Sequence, residues 1–396
     1  MFKGLKRIVY KVADINQARK WYSDVLEMQP AFEAPFAVIF NVGDCSLSLV
    51  QGQPPLPGTI ERVETYWEVE DIEATYQRLI DYGASPHSPI KTAFNIRLAK
   101  VIDPFGNEIG ITGPVLADSK SSIENQPSET AMTVAFCRAL AAMDNREAIK
   151  GPDYLAELFL TEEGRKLLND QSSRIWAIQN LVTPPLYGYF IARTAFIDHE
   201  FKKALDDDIP QIVILGAGYD TRAYRYRDFV KHTHIFELDI QTTQKRKKEV
   251  LEGANIEIPR EVTFVSVNFK LDQLKEVLGN AGFDPMAKTL FIWEGVTYYL
   301  TKEAITTTLQ FITSNSPSGS ILCFDYLTEK LESVNSAEPF QFWIPQSKID
   351  QFIEDHGLKV IEHIDADEMQ KRYLTQKDGN IAEKVLTRFC FVKALV

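Results

Sequence analysis

The 396-residue sequence contains no run of about 18 consecutive apolar residues, the length a membrane-spanning helix needs, so no membrane span is expected. Cysteine is scarce: Cys45, Cys137, Cys323 and Cys390 stand alone, with no Cys-x-x-Cys pair. Neither a zinc site nor a disulfide framework is therefore expected, and a reducing cytoplasm fits such usage best. Positive charge is in deficit, 43 Lys and Arg against 55 Asp and Glu, for a net charge of −12. A chain that binds phosphate backbones broadly needs a basic face, so no nucleic-acid partner is expected. The one basic run, Lys245-Arg246-Lys247-Lys248, reads as a solvated helix face. The N-terminus, Met1-Phe2-Lys3-Gly4-Leu5-Lys6-Arg7, has no apolar segment and no small-residue cleavage site, so no signal peptide is expected.

Apolar residues make up 45% and charged residues 25%, an ordinary globular composition. The length predicts two domains. A polar, Ser-rich, Pro-bounded stretch over 114–127 predicts the linker between them. Domain one then covers 1–113, a helical segment 128–205, and an α/β core 206–396.

Residues 1–113 repeat. Val12-Ala13-Asp14-Ile15 returns as Val69-Glu70-Asp71-Ile72, each preceded by an alternating strand, Ile8 to Val12 and Thr65 to Val69. Each Asp is placed to cap a helix by accepting from a first-turn N–H. Ile15, Ala18, Tyr22, Val25 and Leu26, then Ile72, Tyr76, Leu79 and Ile80, fall at helical spacing. Alternating runs follow each helix, Phe36 to Phe40 and Ser46 to Val50, then Ile96 to Ile102 and Glu108 to Ile111. The expectation is α+β, two βαβββ modules curved around a cleft.

Trp21-Tyr22, Val25-Leu26 and the Asp103-Pro104-Phe105-Gly106-Asn107 turn resemble the vicinal-oxygen-chelate superfamily, the glyoxalase and bleomycin-resistance group. The metal-ligand positions of that family map onto Arg7, Ser48, Glu64 and Gly110. A glycine offers no ligand, arginine is a fixed cation and serine is a weak neutral donor, so no metal is expected. His87, in Ser-Pro-His-Ser-Pro, reads as an exposed loop histidine. The resemblance implies a metal-free binding domain. Phe32, Phe36, Phe40, Trp67 and Phe94 are candidates for the cleft wall and equally for the core; a purely structural or dimerising domain, giving a homodimer, stays open.

From residue 211 the pattern alternates strand and helix. Gln211 to Leu215 is a continuous apolar strand, as a strand covered on both faces should be. It runs into Gly216-Ala217-Gly218-Tyr219-Asp220-Thr221-Arg222, where glycines admit a ligand to the strand's carboxyl end. A dinucleotide fingerprint needs a third glycine; here Thr221 stands there, and Asp220 repels a pyrophosphate. A cationic ligand without phosphate, S-adenosylmethionine, suits the loop. The next strand, His234 to Asp239, ends in acids placed for ribose hydroxyls: Asp239 first, Glu237 second. The strand Val262 to Val267 leads to Asn268-Phe269, placed to meet adenine. Thr289 to Trp293 leads to Glu294-Gly295-Val296-Thr297-Tyr298-Tyr299-Leu300. Ser320 to Tyr326, Leu358 to Ile364 and Thr387 to Leu395 complete seven strands, the last expected to be antiparallel: a Rossmann-like class I methyltransferase sheet with a helical lid.

Val213 through Arg222, Phe236-Glu237-Leu238-Asp239 and Trp293-Glu294-Gly295 with Tyr299-Leu300 resemble the leucine carboxyl methyltransferase family and its bacterial O-methyltransferase branch. Thr130-Ala131 and Arg138-Ala139-Leu140 resemble its lid, and Arg193 its cofactor-carboxylate arginine. Asn268 departs from the aspartate of relatives but keeps an acceptor for adenine N6. The resemblance implies that Arg193 holds the methionine carboxylate, Gly216, Ala217, Gly218 and Asp220 pass the amino-acid part, Glu294 and Gly295 face its ammonium, Asp239 binds ribose, and Asn268 with Phe269 binds adenine. Tyr298, Tyr299, Tyr224 and Arg222 are expected to border the acceptor, and Trp176, Tyr187, Tyr189 and Phe190 to cap the crevice. His199, His232 and His234 have no spacing that assigns them a role. The expected activity is O-methylation of a carboxylate or hydroxyl on a small organic molecule. A non-enzymatic binding or resistance protein using the N-terminal cleft, a nicotinamide oxidoreductase and protein carboxyl methylation are the alternatives.

Overall fold

The computed structural model describes residues 7–34, 37–43, 45–52, 65–93, 96–114, 129–169, 171–178, 182–269, 272–331 and 340–396. Phe36, Glu64, Phe94 and nearly all of the expected linker lie outside them, as do the side chains of Arg7 and Trp176. The described residues form two compact units, one through Pro114 and one from Glu129 onward.

The first unit is built twice over. Strand β1 (Arg7–Val12), helix α1 (Ile15–Leu26), and strands β2 (Phe32–Ala34), β3 (Ala37–Val42) and β4 (Cys45–Gln51) make the first module. Strand β5 (Tyr66–Glu68), helix α2 (Ile72–Asp81), and strands β6 (Ser85–Ala93), β7 (Ile96–Ile102) and β8 (Glu108–Pro114) make the second. The sheets run β1-β4-β3-β2 and β5-β8-β7-β6, with a parallel first pair in each. Asp14 caps α1 by accepting from the Asn16 and Gln17 amides, and Asp71 caps α2 by accepting from Ala74. The two motifs meet in the core. The Tyr22 hydroxyl donates to Asp103 Oδ2 at 2.7 Å, Asp103 Oδ1 accepts from the Phe105 and Asn107 amides, and Trp21 stands edge-on to Phe105. Phe40 belongs to this core, whereas Phe32 is exposed.

Two strands differ from the sequence expectation. Phe32–Ala34 is too short to show a pattern. The segment holding His87 is a strand, β6, rather than a loop. Its prolines lack N–H donors, and β6 takes the edge of its sheet with register shifts at Pro86/Ser88 and Ser88/Lys91, as proline requires. His87 is exposed there, with Nε2 3.1 Å from Glu108. At the expected metal positions Ser48 is buried, and a Cβ on Gly110 would strike the Tyr66 ring at 2.7 Å.

The second unit opens with helices α3 (Glu129–Ala142), α4 (Glu162–Lys166), α5 (Gln171–Ala177) and α6 (Pro184–Asp206). Strand β9 (Gln211–Leu215), helix α7 (Arg222–Arg225), strand β10 (His234–Asp239), helix α8 (Gln241–Gly253), strand β11 (Val262–Ser266), helix α9 (Leu274–Asn280), strand β12 (Thr289–Trp293), helix α10 (Lys302–Ser314) and strand β13 (Ile321–Leu327) follow. Helix α11 (Ile349–Glu354), strand β14 (Lys359–Ile364), helix α12 (Ala366–Tyr373) and strand β15 (Phe389–Leu395) close the chain. The sheet order is β11-β10-β9-β12-β13-β15-β14, parallel except for β15. This is the methyltransferase-type sheet expected. Strands β9 and β12 are buried at every position, which is why both read as unbroken apolar runs. The chain reverses its order between them, and a crevice opens at their carboxyl ends.

Helix α6 lies against that sheet, with Phe196 stacked on Phe391 and Tyr189 on Phe389. Gly188 lets the 382–386 segment close on α6: a Cβ there would collide with the Lys384 carbonyl oxygen. Gly188→Ala is therefore expected to destabilise this unit by about 1–3 kcal/mol through forced backbone displacement. A lowered urea midpoint with an unchanged slope is the measurement that checks it.

Candidate active site

The crevice is a cavity of about 210 Å³ lined by the ends of four parallel strands, by α3 and by Arg193 of α6. After β9, Gly216 and Gly218 turn the chain with φ of +78° and +45°, a region that favours glycine. A Cβ on Gly216 would collide with Val296, and one on Gly218 would stand 3.3 Å from Ala131 of α3. The loop is thus pressed between the lid helix and the segment after β12. At the end of β10, Asp239 Oδ2 accepts from the Gly218 amide at 2.6 Å and Oδ1 from the Ile240 amide at 2.8 Å. After β11, Val267 and Phe269 reach the cavity, and after β12 so do Glu294, Gly295, Val296 and Tyr299.

Opposite Asp239 lies a buried ionic chain. Arg193 of α6 donates from Nε to Glu294 Oε1 at 3.0 Å and from Nη1 to Asp325 Oδ2 and the Tyr298 hydroxyl, both at 3.1 Å. Burial works against its charge, but Tyr189, Asp325, Tyr298 and Glu294 outweigh that and raise its pKa well above the usual value. The second oxygen of Glu294 accepts from Arg222 Nη1 at 2.8 Å. Arg222 also donates to Asp198 at 2.6 Å and to Asp220 at 2.5 Å. Asp198 receives Arg225, which approaches Asp153, and Asp153 lies 3.4 Å from Arg138 Nε of the lid. That last contact is an ion pair without hydrogen-bond geometry. Arg138 instead donates from Nη2 to the Tyr219 carbonyl at 2.6 Å, tying α3 to the glycine loop.

Of the residues named from sequence, Arg193, Gly216, Ala217, Gly218, Asp220, Asp239, Phe269, Glu294, Gly295 and Tyr299 line one cavity. Others do not, each for a physical reason. Arg222 is fully buried and spent on three carboxylates, so it positions the loop and does not border an acceptor. Glu237 is sealed beneath the sheet end, 2.7 Å from the buried Lys247 ammonium, which removes it from ribose contact. Lys247 correspondingly leaves the solvated face assigned to residues 245–248. Tyr224 is buried with its hydroxyl 3.3 Å from Glu237. Tyr298 is buried behind Arg193, and Asn268 is absent from the lining. Tyr187, Tyr189 and Phe190 pack inside the unit; the lid wall is Thr130, Ala131, Val134 and Arg138 of α3. His234 starts β10, at the strand end away from Asp239, and meets Thr263.

Asp198, Asp325 and Arg225 were not foreseen. A signal existed for Asp325: one charged residue within the apolar strand Ile-Leu-Cys-Phe-Asp-Tyr-Leu must be paired.

A sequence model of the leucine carboxyl methyltransferase family matches residues 131–313, and one of the glyoxalase/bleomycin resistance protein/dioxygenase superfamily matches residues 4–111. A Bacillus subtilis protein named for S-adenosyl-L-methionine-dependent methyl transfer is 29% identical over 57% of this chain and 77% of its own. Two more of that designation, from Mycobacteroides abscessus and Streptomyces avermitilis, are 30% and 32% identical over 52% and 49% of this chain and 68% of each of theirs. Sheet, crevice and matches together define the class, an S-adenosylmethionine-dependent methyltransferase. The chain belongs to the leucine carboxyl methyltransferase family and carries a glyoxalase-type domain ahead of it.

Arg222→Met is expected to cost about 3–5 kcal/mol, because three buried carboxylates lose their shared cation. The Asp220 carboxyl, buried yet held down to about 2 by Arg222, contributes stability that is full above its unfolded pKa near 4 and lost as pH falls through 2. Without Arg222 burial raises that pKa, so the gap between the proteins should narrow on acidification. Urea melts at pH 7 and pH 4.5 check both statements.

Proposed function

We propose that this protein transfers a methyl group from S-adenosylmethionine to an oxygen of a small organic molecule, with a carboxylate favoured over a hydroxyl. The observation that carries the reading is a crevice with Asp239 at one end, the Arg193–Glu294 pair at the other, and no His or Lys among the described residues that line it. The residues suit the cofactor. Gly216 and Gly218, both at positive φ, turn the chain so that its backbone lines the crevice, Asp239 places a carboxylate where ribose hydroxyls would lie, and each Glu294 oxygen retains a lone pair for an ammonium. When bound, S-adenosylmethionine supplies a methyl group already activated by its sulfonium.

The protein's part is alignment and exclusion of water. Among the described lining residues there is no His or Lys, and Asp220, Asp239 and Glu294 are each bound to guanidinium or amide donors. An acceptor that must lose a proton finds no partner here, whereas a carboxylate arrives ionised. Tyr299, stacked on Phe340, and Val296 give the acceptor side an apolar wall. The N-terminal unit is read as a metal-free accessory binding domain: the Tyr66 ring fills the space beside Gly110, where a ligating side chain would be needed.

Calorimetric titration with S-adenosylmethionine and its demethylated product tests the core of this reading. Binding is expected, and Asp239→Ala should weaken it roughly 10- to 100-fold, as loss of a charge-assisted contact does. Absence of binding by the unaltered protein at millimolar ligand would end it. The turnover of a carboxylate acceptor should be flat between about pH 6 and 9, where a carboxylate stays ionised. A phenolic acceptor should instead follow its own ionisation. A bell-shaped profile with a carboxylate acceptor would reveal a protein base and reject the base-free crevice.

A further inference from the structure

Asp325 sits within β13, is 1% exposed and does not line the crevice. It nonetheless gathers four donors. Oδ1 accepts from the Gly295 amide at 2.6 Å; Oδ2 accepts from Arg193 Nη1 at 3.1 Å, from the Tyr298 hydroxyl at 3.4 Å and from the Tyr189 hydroxyl. A carboxylate in an apolar strand is costly unless so satisfied, and a leucine there would pack without that demand. What the carboxylate fixes is the end of the crevice opposite Asp239. Tyr189 and Arg193 are four residues apart on α6 and so share the face turned to β13. Their side chains meet Asp325 together, and the Tyr189 and Phe190 rings flank the guanidinium at 5.4 and 5.1 Å.

With Nε on Glu294 and Nη1 on Asp325, the guanidinium plane has no freedom left. Nη2 makes no hydrogen bond among the described residues. It lies beside Gly295: a Cβ there would stand 3.3 Å from it, and Gly295, at φ +73°, has none. The same Asp325 that turns the guanidinium also holds the Gly295 amide.

We propose that Asp325 is a positioning residue for the amino-acid end of the cofactor, acting through Arg193 and Gly295 so that Nη2 is presented to a carboxylate. This rests on the S-adenosylmethionine reading of the crevice. The discriminating pair of probes is S-adenosylhomocysteine and 5′-methylthioadenosine, which share the nucleoside thioether; only the first has the amino-acid end. In Asp325→Asn, which keeps the side-chain volume but removes the charge, calorimetry should show the first ligand weakened roughly 10- to 100-fold and the second changed less than about twofold. The KM for S-adenosylmethionine should rise by a similar factor while kcat at saturation holds. Should that variant fail to fold, Tyr189→Phe carries the test, since it removes one donor to Asp325 and leaves every charge pair. A loss of about threefold or more confined to S-adenosylhomocysteine supports the proposal. Equal losses for both ligands mark a merely structural carboxylate and overturn it, as does unchanged S-adenosylhomocysteine binding. An unaltered protein that binds neither ligand instead brings down the cofactor reading itself.

Discussion

Glu294 is shared between two buried arginines, and the rest of the site depends on that sharing. One oxygen takes Arg193 and the other Arg222. Each arginine is pinned on its far side by further carboxylates, Asp325 for the first, Asp198 and Asp220 for the second. Buried charges are tolerable only when paired and hydrogen-bonded, so no member can move alone without stranding another. The chain of charges therefore fixes, at one stroke, the glycine loop through Asp220, the end of β12 through Glu294, and α6 through Arg193 and Asp198. A cavity between those elements is rigid before any ligand arrives, and such preorganisation is what an alignment-driven displacement requires.

The same chain sets the sign of the crevice. Arg138, Arg225, Arg222 and Arg193 face Asp153, Asp198, Asp220, Glu294 and Asp325, four formal positive charges against five negative. Asp239 adds a carboxylate at the other end. A phosphate-bearing dinucleotide enters such a field at a cost, while a ligand with a sulfonium and an ammonium gains. The presence of Thr221 where a third glycine would stand and the charge of the buried network therefore point the same way, although one is a matter of backbone approach and the other of electrostatics.

How much of this was legible beforehand follows from the range of each interaction. The central strands β9 and β12 could be read because both are covered on both faces, so burial writes an unbroken apolar run. The capping aspartates Asp14 and Asp71 were legible because their partners lie within three residues. Strand β6 was not, since proline and serine in Ser85–Ala93 carry turn chemistry, and only its place at a sheet edge makes them compatible with pairing. Arg222 and Glu237 were assigned to the ligand because they stand in motifs that meet it; their own partners, Asp198 and Lys247, sit on other elements and turn both inward. Asp325, a lone charge in an apolar strand, showed that it must be paired but not with what. Its partners Tyr189 and Arg193 lie more than a hundred residues earlier, and no local pattern links a helix and a strand at that separation.

The network also couples the lid to the reacting end. Arg138 of α3 holds the Tyr219 carbonyl, the carbonyl next to Asp220, and Asp220 shares Arg222 with Glu294. Tyr219 in turn stacks on Phe159 at 4.8 Å, so α3 and the short helical turn Ala156–Phe159 both press on one loop residue. Arg193 and Glu294 are thus linked to α3 through buried side chains and one backbone carbonyl. Thr130, Ala131 and Val134 of that helix form the wall nearest the glycine loop. The helix that lines the crevice is therefore tied, through the Tyr219 carbonyl and Asp153, to the same chain of charges that fixes Arg193 and Glu294.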